Sequence, residues 1–87
     1  MSEIQKKINE CIAEIEPYTS YATTADRAIS SLREIESLIK NPSEENLEKA
    51  LKMVTEFQDR IEMYASYVPT TTKNVKIIKE WLEKAKR

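Results

Sequence analysis

The sequence predicts an all-α protein: a four-helix bundle-like unit built from two similar helical hairpins. Three observations lead there. Apolar residues recur at spacings of three and four almost throughout, no segment alternates with period two, and the second half repeats the first at an offset of 46 residues. Spacings of three and four put side chains on one face of a helix, whereas a half-buried strand needs strict alternation. The 87 residues make one domain, 1–87, with a modest core. At 40% hydrophobic and 33% charged, the composition is that of a folded soluble chain rather than a disordered one.

The first helix is expected over residues 3–20. Ile4, Ile8, Cys11, Ile12 and Ile15 form its apolar stripe, and Ser2 with Gln5 reads as a capping box ahead of it. The second, 24–40, carries Ala28, Ile29, Leu32, Ile35 and Ile39, with Thr23 and Asp26 as a weaker box. Asn41-Pro42-Ser43-Glu44 is the clearest boundary. Asn41 reads as the cap and Pro42 as the first helical residue, where a missing N–H leaves no bond unmade. The third helix, 42–67, has the longest stripe, from Leu47 through Val54, Phe57 and Ile61 to Tyr64. Glu44, Glu45 and Glu48 suit the positive end of its dipole. Pro69 and the β-branched run Thr70-Thr71-Thr72 predict the last break. The fourth helix, 71–86, then points Val75, Ile78, Trp81, Leu82 and Ala85 inward.

The duplication is clearest where Ile15-Glu16-Pro17-Tyr18-Thr19-Ser20-Tyr21 falls on Ile61-Glu62-Met63-Tyr64-Ala65-Ser66-Tyr67. Further on, Thr24 meets Thr70 and Glu34 meets Glu80, and the repeat is read as residues 1–41 and 47–87. One rival arrangement follows from the same spacing, which runs unbroken through positions 15, 18, 22, 25 and 29 and through 61, 64, 68, 71 and 75. Two long helices kinked near Pro17 and Pro69 would need a second chain to bury their stripes, making an obligate homodimer.

The absences limit function. The chain has no glycine, no histidine and one cysteine, Cys11. It therefore lacks a glycine-built phosphate loop, the commonest general base and zinc ligand, and any internal disulfide. The expectation is a protein that is not an enzyme, with no catalytic residue, no cofactor and no metal. Glu10 and Glu14 share a helix face, which reads as solvated rather than metal-binding. Cys11 reads as an inert core thiol, and Trp81, aligned with Ile35, as a core residue. No apolar run approaches the roughly 18 residues of a membrane helix. The N-terminal residues also lack a secretory pattern. The expectation is a cytoplasmic protein with no membrane partner.

Two features suggest binding. The repeated Tyr-x-Ser-Tyr-x-x-Thr places four tyrosines at two corners, expected at one end of the bundle. Tyr18 and Tyr64 continue the apolar stripes from Ile15 and Ile61 and are expected to pack inward. Tyr21 and Tyr67, three residues further on, are the candidate partner-binding residues, since aromatic rings with hydroxyl handles suit interfaces. The other feature is charge. Residues 1–72 hold 8 basic and 13 acidic groups, residues 73–87 hold 6 and 2. Lys73, Lys76, Lys79 and Lys84 form a candidate basic face. The leading expectation is a small protein-interaction module (an adaptor, regulator or inhibitor) binding a partner protein through helix faces and tyrosine corners. The alternative is a nucleic-acid-binding accessory protein using the basic helix, against which the net charge of −1 argues.

Overall fold

The stretches of three-and-four spacing become four α-helices: α1 Glu3–Ile15, α2 Thr23–Lys40, α3 Glu44–Ile61 and α4 Pro69–Ala85. A single 3-10 turn follows α1 at Glu16–Tyr18 and another follows α3 at Glu62–Tyr64. The structure is a computed structural model that describes residues 3–20 and 22–85, and among these there is no strand. The 46-residue offset of the sequence also relates the element ends. Ile15 corresponds to Ile61, Glu16–Tyr18 to Glu62–Tyr64, and Thr23 to Pro69.

Each helix packs on two others: α1 on α2 and α4, α3 on α2 and α4. The helices close into an up-down-up-down ring around a core in which Ile8, Leu32, Ile35, Val75, Ile78 and Leu82 are almost wholly buried. The alternative of two long kinked helices is overturned. A single helix from residue 3 to 40 would run about 57 Å at 1.5 Å per residue. The longest dimension is 38 Å, and the radius of gyration, 12.2 Å, matches the about 12 Å of a compact chain this long. The breaks are local. Pro17 supplies no N–H to continue α1, and Pro69 opens α4 as its first residue, later than the α3 ladder can use it.

Several boundaries differ from the sequence reading, each for a chemical reason. Ser43, not Asn41, caps α3: its backbone is extended (φ −144°, ψ 165°) and its hydroxyl accepts from the Asn46 N–H at 3.0 Å. Asn41 instead closes α2, its side-chain amide donating to the Ser37 carbonyl at 3.2 Å. A residue before proline resists the helical region, so Asn41 leaves the helix and Pro42 stands outside α3. Thr23 is the first residue of α2 rather than its cap; Ala22 holds the cap position and offers no side-chain oxygen. The threonine run lies inside α4, in its first turn, and the break falls before Pro69. The Ser2 cap lies outside the described residues. Among the described residues no backbone needs a positive φ, which is how a chain without glycine turns its corners.

Trp81 is a correction: it is 38% exposed, while Ile35 is buried. The inner stripe of α4 runs through Thr71, Val75, Ile78 and Leu82, and Trp81 lies about 100° round the helix from Leu82. In α2 the position matching Leu82 is Glu36, half-buried and accepting from the Gln5 side chain at 3.3 Å, and Ile35 takes the core place instead.

Candidate interaction site at the turn end

Both 3-10 turns lie at one end of the bundle, where the two corners meet. The Tyr18 hydroxyl donates to the Tyr67 carbonyl at 3.4 Å. Alongside it, α1 reaches across to the start of α4. The Glu14 carboxylate accepts from the Thr70 N–H at 2.9 Å and the Thr71 N–H at 2.6 Å. These two N–H groups belong to the first turn of α4, which has no acceptor within its own helix. The residue before Pro69 is Val68, which has no side-chain oxygen, so a carboxylate from another helix does the work of a cap.

This corrects the reading of Glu10 and Glu14 as a solvated face. Glu10 accepts from the Asn74 side-chain amide at 2.9 Å, and the same amide donates to the Lys7 carbonyl at 3.1 Å. Thr71 and Asn74 are buried polar residues in α4, with the Thr71 hydroxyl 3.5 Å from the Cys11 carbonyl. The seam between α1 and α4 is thus partly polar and fully partnered. Burial acts to raise the Glu14 pKa, but hydrogen bonds from Thr71 and Thr70 outweigh it and hold the carboxyl below its ordinary range. Cys11 is buried beneath this seam. Burial pushes its thiol up to about 11, against the hydrogen bonds of Thr71 and Asn74 and with the charges of Glu14 and Glu10. It stays a protonated thiol at neutral pH, which leaves it a weak nucleophile.

On the outside of the same end stand Met63, 82% exposed, Tyr67, 65%, and Tyr64, 44%. The expectation that Tyr64 packs as core is corrected. Helix α3 ends at Ile61, and Tyr64 lies beyond the buried layer that Ile61 closes. Tyr18, its counterpart, is half-buried against the core with its hydroxyl engaged. Tyr67 is held by its backbone: its N–H donates to the Tyr64 carbonyl at 2.8 Å, its carbonyl takes the Tyr18 hydroxyl, and Val68 next to it is buried. The ring itself is left to solvent. Tyr21, the matching candidate, lies outside the described residues.

The candidate basic face is more mixed. Lys73, Lys76 and Lys84 are exposed, but Lys79 is half-buried and donates to the Gln58 side chain at 3.3 Å. Glu80 and Glu83 are exposed on the same turns. At the opposite end of the bundle a shallow groove between α1 and α2 is lined by Gln5, Ile8, Glu36, Ile39 and Lys40. Among the described residues, no three His, Cys, Asp or Glu side chains are placed to hold a metal ion. None of the described helices is long and apolar enough to cross a membrane.

Fold and site together define an antiparallel four-helix bundle with a polar α1–α4 seam and an aromatic turn end. Compared with protein families, curated proteins and solved structures, the chain matches none.

Proposed function

We propose that the chain is a non-catalytic protein-interaction module that engages a partner protein through its turn end, in the cytoplasm, with Tyr67 as the central contact. The supporting observation is an exposed ring on a backbone fixed at both its N–H and its carbonyl. Such a residue has little backbone freedom to lose on binding, and its ring has much amphipathic area to offer. Met63 and Tyr64 extend the same surface with a flexible thioether and a second ring. Tyr21 joins the reading on the sequence repeat alone.

The test is quantitative capture of a partner from the native host by wild type and by Tyr67→Ala. An exposed ring removed from a fixed backbone should change stability by less than about 0.5 kcal/mol. Loss of a central interface aromatic should weaken partner binding by about 2 kcal/mol. Unchanged capture by a folded Tyr67→Ala protein would sink the reading. A nucleic-acid role for Lys73, Lys76 and Lys84 is the weaker alternative, and it predicts a steep loss of RNA or DNA binding with added salt.

A further inference from the structure

The exposed rings at the turn end sit in a local field opposite to that of the rest of the molecule. Residues 10–28 and 56–74 comprise the two turns and the nearest six residues of each helix. They hold seven acidic and three basic side chains, and the remainder of the chain holds eight and eleven. The turn end is therefore net −4 and the remainder net +3, consistent with −1 for the whole. Glu16 and Glu62 open the two 3-10 turns and Asp59 precedes the second; all three are exposed, and Arg60 is the cation among them. Glu14 is occupied as the cap of α4.

We infer that the occupant of the turn end is a cationic, arginine- or lysine-bearing segment of a partner protein. This rests on the interaction reading above and adds the chemistry of the partner. Two physical matches support it. A guanidinium or ammonium group is attracted to the face of a tyrosine ring, and Tyr64 and Tyr67 both present exposed rings. Exposed carboxylates of Glu16 and Glu62, which open the two turns of this end, and of Asp59 just before the second complement the same charge, whereas an acidic partner would meet repulsion there. Met63 supplies apolar contact for the aliphatic stem of the same side chain or for its neighbours.

The test uses the full chain, labelled for amide NMR, titrated with a short synthetic peptide of alternating arginine and leucine. A matched peptide carries glutamate in place of arginine. The arginine peptide should shift the amides of residues 16, 18–20 and 62–68 saturably, and high salt should weaken that binding. Tyr67→Ala should weaken it about tenfold, and Glu16→Gln with Glu62→Gln should weaken it several-fold while flattening its salt dependence. Each variant's amide spectrum reports whether it remains folded.

Several results would overturn the inference. The glutamate peptide could bind as well, or the shifts could centre on other carboxylates such as Glu44 and Glu45. Alternatively, the same amides could shift with protein concentration alone, which would assign the end to a second copy of this chain. Failure of the arginine peptide with Tyr67-dependent capture of a partner removes this inference and leaves the interaction reading intact. Capture that ignores Tyr67 removes both.

Discussion

Glu14 shows how one side chain can join two helices. On α1 it stands at a position any solvent-facing glutamate could hold, yet both carboxylate oxygens are used on the first turn of α4. Because its native pKa is depressed, its contribution is complete above the ordinary carboxylate value of 4.5 and is lost as pH falls through the lower native value. Glu14→Gln keeps the shape and removes the charge. It should cost about 1–2 kcal/mol at neutral pH, in the range of a helix cap and a charge-assisted hydrogen bond. Urea melts of the two proteins over an acid series should converge as pH drops below about 4.5. Parallel curves would mean that the carboxylate contributes no charge-dependent stability.

Among the elements, α3 and α4 begin in different ways. Helix α3 carries its own cap in Ser43, whereas α4 borrows one from α1. Ser43→Ala should therefore cost about 1 kcal/mol by loss of the bond to the Asn46 N–H. Asn41→Ala, which removes a surface-exposed contact to the Ser37 carbonyl, should cost less. Denaturant midpoints for the two variants rank these contributions, and the reverse order would restore Asn41 as the cap. The α1–α4 seam is the costlier place to cut. Asn74 is buried and serves both the Lys7 carbonyl and Glu10, so Asn74→Ala should lose about 1–3 kcal/mol by leaving buried polar groups unpartnered. Its counterpart in the first hairpin is Ala28, which makes no such bond, so the two hairpins are not equivalent at this joint.

For the whole molecule, the closed ring decides how many chains are needed. All four apolar stripes meet within one chain, in a core of a body 38 Å long, so burial needs no second copy. Unfolding should then be independent of protein concentration across a wide dilution series. A midpoint that rises with concentration would show that the folded state is linked to self-association. The charge asymmetry belongs to this scale too. It emerges only when two distant segments, around residues 16 and 62, are brought to one end.

The all-α fold was legible in the sequence by itself, because helical periodicity is a local property that each stripe carries. The breaks near Asn41 and Pro69 were legible too, since proline acts on its own backbone and its immediate neighbour, but the first helix, expected to run to residue 20, ends at Ile15. Tyr67 was likewise placed at an exposed corner by counting along the helix. Tertiary structure alone decided the rest. Glu14 and Thr71 are 57 residues apart, and no local pattern distinguishes a carboxylate that caps another helix from one that faces water. Trp81 and Tyr64 lay on apolar stripes but outside the core, because helix rotation and helix end, not periodicity, set which face is covered. Periodicity gives a helix its apolar side; only the neighbours that pack against it determine where that side stops.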